Sequence, residues 1–141
     1  MDPRRIAASA AVVGGVAWLT KVGMIWANGG ANTDEGLVGV MYLVGLLGMV
    51  VALGAAGYTL VETAPVWLRV VVVVATPVLV LMVWVMLGEG IKAVYSGEGW
   101  LRDEINIVLA AVVALGLGAW ALTRGRSEDA ARPVGGHRAT H

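Results

Sequence analysis

The sequence predicts an all-α membrane domain: a transmembrane four-helix bundle, up-down-up-down, with both termini cytoplasmic. Three observations carry this expectation. The chain is 58% hydrophobic and only 14% charged, with a mean hydropathy of +0.79, well to the apolar side of soluble domains. Its apolar residues fall into runs long enough for a bilayer core, which needs ~20 residues of helix. Its Lys and Arg gather at one set of run ends, as they do on the cytoplasmic face of membrane proteins.

The first span is expected from Ile6 to Ala27. Arg4 and Arg5 followed by an apolar stretch also fit the start of a secretory signal. The run, however, continues past Lys21 and carries Trp18 and Trp26, so it reads as a retained helix. Asn28 to Gly36 is a polar connection rich in turn formers. The second span is expected from Leu37 to Leu60, followed by a tight turn in which Pro65 suits the first turn of the next helix.

The third span is expected from Val66 to Leu87. Val70 to Val74 is β-branched throughout, but the run is far longer than an ordinary strand. Hydrocarbon offers peptide groups no water, so helix is required. Pro77 sits mid-span and removes one backbone hydrogen bond. Thr76 and Pro77 therefore mark a candidate kink, with Thr76 expected to help satisfy the released carbonyl. Ile91, Val94 and Tyr95 continue the helix before Gly97 and Gly99 break it. The fourth span is expected from Ile105 to Thr123, so that residues 1–124 form the membrane domain. From Gly125 to His141 a polar tail with Pro133 and Gly135-Gly136 is expected to be disordered and cytoplasmic.

Charge sets the direction. Arg4, Arg5, Arg69, Arg124, Arg126, Arg132 and Arg138 fall on one side of these spans. Lys92 and Arg102, with Lys21 near its boundary, fall on the other, beside Asp34, Glu35, Glu89, Glu98, Asp103 and Glu104. The positive side is read as cytoplasmic, and the chain as a multi-pass protein of the plasma (inner) membrane.

Small residues mark where the spans meet, because helices in lipid associate through close contact. Gly45, Gly48, Ala52, Ala55 and Ala56 share one side of the second span, with Leu43, Leu47 and Val50 opposite. Ala110, Ala114 and Gly118 line the fourth, and Ala7, Ala11 and Gly15 the first. Packing within the chain is the simpler reading of these seams; the other is the interface of a homodimer or of a larger membrane assembly. The lipid bilayer is the partner expected throughout.

Several chemistries are excluded. The chain has no Cys, hence no disulfide or thiolate chemistry. Both histidines, His137 and His141, lie in the tail, leaving the apolar body without an imidazole for haem or zinc. Zero net charge argues against nucleic acid as a partner. No nucleophile triad, phosphate loop or dinucleotide fingerprint appears, so no cofactor, no metal and no enzymatic activity are expected.

The candidate polar site comprises Lys21, Glu89, Asp103, Glu104 and Asn106. An ionisable residue within a span is a functional candidate. By helical rise Lys21 lies ~6 Å below the membrane edge, within reach of headgroups along its own stem, and such snorkelling is the simpler reading. The other is a pair with one of the carboxylates across the bundle, a clasp or the mouth of a solute site. Asp103 and Glu104 also read as first-turn acids favouring the positive end of a helix dipole.

In size and span count the chain resembles the small multidrug transporters. Their hallmark, a glutamate within the first helix, is missing here, where Lys21 is the only charge between Ile6 and Ala27. That mechanism is not implied. The leading functional expectation is a non-enzymatic accessory or structural membrane subunit. The alternative is a homodimeric channel or transporter for ions or small solutes, built around Lys21, Asn106 and the neighbouring carboxylates.

Overall fold

The computed structural model describes residues 2–31, 35–97 and 99–131. Four helices account for nearly all of them: α1 (Pro3–Ala27), α2 (Glu35–Leu60), α3 (Val66–Val94) and α4 (Gly99–Ala131). Each is long and apolar enough to cross a membrane, and no strand occurs among the described residues. The chain is a four-helix integral membrane protein.

Local chemistry explains the helix ends. Asp2 caps α1 by accepting the Arg4 backbone N–H at 2.9 Å, and Pro3 occupies the first turn, where its missing N–H costs nothing. α1 stops where Gly29 and Gly30 take positive φ values of 66° and 85°, which glycine adopts without steric cost. Arg69 donates from Nε to the Ala64 carbonyl at 2.7 Å, bracing the turn before α3.

α4 differs most from expectation. It begins at Gly99, six residues before the expected Ile105, so the last apolar turn of α3 and the start of α4 lie close together. Asp103 and Glu104 consequently fall beyond the first turn, which holds no acid, and the dipole role does not apply to them. At its other end α4 runs through 125–131, the start of the tail expected to be disordered. Ala, Arg and Glu are good helix formers, and extending an existing helix is far easier than nucleating one; one glycine at 125 does not stop it. The rest of the tail, 132–141, lies outside the described residues, as does Asp34.

α1 is the hub of the bundle. Its adjacent glycines face two different neighbours, as residues ~100° apart on a helix must. A Cβ on Gly14 would meet the Gly45 carbonyl oxygen of α2 at 3.0 Å; one on Gly15 would meet Ala111 O of α4 at the same distance. Gly48 is tighter still, with the Gly14 Cα 2.8 Å and Ala10 O 2.9 Å from where its Cβ would stand. A Cβ on Gly118 would come within 2.9 Å of Ala8 O. Gly15, Gly45, Gly48 and Gly118 of the expected seams thus make close contacts within the chain, whereas Ala7, Ala11, Ala52 and Ala56 border a cavity described below; Leu43 and Leu47 are exposed on the far side of α2.

α3 stands apart. Only 6% of its apolar window is buried, against 39% for α1. It leans on α2 through Gly54 and Gly57 and meets α4 around Trp84 and Gly88. The helix runs unbroken through Pro77. Thr76 does not satisfy the carbonyl that Pro77 releases, which is that of Val73. Its hydroxyl instead donates to Val72 O at 2.7 Å, the i−4 geometry that a helical threonine reaches directly. Val73 O faces Gly54 of α2, where a Cβ would stand 3.4 Å away, so the freed oxygen looks onto bare backbone that can approach through a Cα–H.

Candidate functional site

The polar core is assembled by a buried stripe on α1. Gly14, Ala17, Trp18, Lys21 and Ile25 are all buried, at spacings of three and four that align them on one helical face. That stripe carries Lys21 into the bundle. Lys21 is 8% exposed, and its Nζ donates to Glu104 Oε2 of α4 at 2.5 Å. The two side chains are 10% and 16% exposed. Snorkelling to headgroups, the simpler expectation, is therefore replaced by an ion pair, because the register of α1 turns the lysine toward α4 rather than toward lipid.

A third helix closes on the pair. The Tyr42 ring of α2 lies 5.7 Å from Lys21 Nζ, within range of a cation–π attraction. One turn below, the buried Trp18 indole donates to the Tyr42 carbonyl at 3.2 Å, and its ring occupies the space left by Gly45. Tyr42 was not among the expected site residues. Its signal was its depth in the span, which an amphipathic ring rarely occupies without a polar neighbour.

The remaining candidates do not join this group. Asn106 lies two residues beyond Glu104, about 200° around the helix, and faces α3 instead. Its side chain fills the space over Gly88, and its backbone oxygen accepts the Trp84 indole N–H at 3.2 Å. Asn106 Oδ1 is buried without a hydrogen-bond partner among the described residues. Glu89 points outward, 67% exposed, and pairs with Lys92 at 3.1 Å. Asp103 is exposed. The expected five-residue cluster is thus two separate contacts, an ion pair at α1–α4 and an amide at α3–α4. Among the described residues no three His, Asp or Glu come together as metal ligands would.

Below this polar layer, toward the Arg4 end of the bundle, lies a cavity of about 540 Å³. α1, α2 and α4 form most of its lining, and Val80, Leu81 and Trp84 of α3 close one side. Alanine is the commonest residue of its walls, and Trp18 and Trp84 stand at the end nearest the ion pair. No family model, curated protein or solved structure matches the chain. Its function has to be argued from this geometry alone.

Proposed function

We propose that the chain is a non-enzymatic accessory or structural subunit of the plasma (inner) membrane, folded up-down-up-down with both termini in the cytoplasm. The observation that carries this reading is the closure of the ion pair. Lys21, the one charge deep in α1, is held by Glu104 and faced by Tyr42. A buried pair of this kind fixes the relative register of the helices it joins, and here it clasps α1 to α4. The indoles of Trp18 and Trp84 are engaged in the same way, each by a main-chain carbonyl.

The surface left for interaction is α3, apolar around nearly its whole circumference, with Val71, Val74, Val78, Leu79 and Val83 all exposed. In a bilayer such a helix is covered by lipid or by the helix of a partner. The alternative, a homodimeric ion or solute channel at the Lys21 site, requires a wetted opening beside the pair. The cavity instead approaches from the Arg4 end and has apolar walls.

Reconstitution in liposomes tests the choice. An accessory subunit gives flux equal to empty liposomes across a panel of ions and small solutes, for the native chain and for Lys21→Ala alike. Flux above that background, lost in Lys21→Ala, overturns the reading in favour of transport.

A further inference from the structure

We propose that the cavity between the four helices is a binding site for one acyl chain of an anionic phospholipid, with Arg4 holding the headgroup. The inference concerns the lipid-facing half of the bundle and stands whether or not the chain is an accessory subunit. It rests on three features that coincide.

First, the two ends of the cavity have opposite character. At one end Trp18 and Trp84 both line the wall. Their indole N–H groups are already donated to Tyr42 O and Asn106 O, leaving aromatic carbon toward the space. At the other end stand Arg4 and Thr59. The Thr59 hydroxyl donates to Ala56 O at 2.7 Å, so Arg4 supplies the charge at the mouth. An apolar channel with one cationic end is complementary to an amphiphile with an anionic head.

Second, the size is right for one chain. About 540 Å³, at the ~30 Å³ a water-sized group occupies in a liquid, holds about 18 such groups, the length of a full acyl chain. A partner helix gives no reason for an arginine at the opening.

Third, the space cannot stay empty or wet. It lies at hydrocarbon depth, lined by side chains such as Ala52, Ala56 and Ala114, which offer water no partners. An unfilled void forfeits the dispersion contacts of its whole lining, and lipid chains are the molecules at hand. Pockets of this size between helices, apolar with one placed polar group, are ordinary ligand sites.

The test uses the full chain in detergent, titrated separately with phosphatidylglycerol and phosphatidylcholine and read by native mass spectrometry. One phosphatidylglycerol is expected to bind about fivefold more tightly than phosphatidylcholine, the advantage one surface cation gives an anionic lipid. Arg4→Gln should erase that preference, and Arg5→Gln, whose residue does not line the cavity, should retain it. Ala56→Leu, at an exposed position on the wall, should weaken both lipids severalfold while circular dichroism reports an unchanged helix content. Equal affinity for the two lipids, a preference lost equally in Arg5→Gln, or a lipid-free dimer as the species that excludes both lipids would each overturn the assignment.

Discussion

Removing one partner of the Lys21–Glu104 pair is the perturbation whose size the structure fixes best. Lys21→Met keeps the length of the stem and its packing but strands a carboxylate whose side chain is only 16% exposed. Uncompensated buried charges of this kind cost roughly 3–5 kcal/mol. The residual exposure places the expected loss near the lower end, about 3 kcal/mol. Glu104→Leu should cost less, about 1–2 kcal/mol, because the freed lysine has a flexible stem that can reach the membrane edge. The double variant Lys21→Met/Glu104→Leu removes both charges and should recover to within about 1 kcal/mol of the native chain, as apolar replacements of buried pairs commonly do. The assay is reversible unfolding in mixed micelles with increasing dodecyl sulfate, followed by helical circular dichroism. The double-mutant cycle isolates the pair as an interaction energy of roughly 3–5 kcal/mol, the two single losses less that of the double variant. Additive single effects, with an interaction energy below about 0.5 kcal/mol, would refute the clasp.

Four further outcomes follow from the packing. Gly48→Val places a side chain where Gly14 Cα and Ala10 O already stand within 3 Å, and should lose about 1–3 kcal/mol in the same unfolding assay. Gly116→Ala, where a Cβ meets nothing within 4 Å, should instead gain roughly 0.5–1 kcal/mol from helix propensity; equal effects at the two positions would contradict the α1–α2 approach. Asn106→Leu removes the orphaned Oδ1 and keeps the space over Gly88 filled, so stability should hold or rise by about 1 kcal/mol. A loss of 2 kcal/mol or more would mean that the amide has a partner. Pro77→Ala restores a donor for Val73 O and should be neutral to about 1 kcal/mol stabilising; marked destabilisation would show that the proline shapes the α2–α3 contact.

How far the sequence reaches depends on which physical rule governs each feature. The spans are set by the bilayer itself, so run length pointed to four long helices, although α3 runs on to Val94, beyond the apolar run that ends at Leu87. The α2 seam was readable for a related reason: small residues at helical spacing are what close approach in lipid demands. The start of α4 was hidden because Gly97 and Gly99 look like breakers. Whether a glycine ends a helix or opens one depends on neighbours that composition does not reveal. Lys21 shows where depth reasoning stops. Its height in the membrane was legible, but its direction is a rotation. That rotation was encoded in the stripe Gly14, Ala17, Trp18 and Ile25, which places Lys21 on the buried face. The split between Glu104 and Asn106 was equally present in their two-residue spacing, which sends them to different neighbours. The cavity had no counterpart in sequence, since it comes from how all four helices are spaced around it.

Four helices long and apolar enough to cross a membrane are expected to cross it four times. The chain's lack of cysteine makes the direct measurement clean: single cysteines at Asp2, Glu62, Ser127 and, on the other side, Asn28 and Ser96, probed in intact cells with a membrane-impermeant maleimide. The expected result is labelling at 28 and 96 alone, with 2, 62 and 127 labelled only after the membrane is opened. Labelling of 2 and 127 from opposite faces would contradict it.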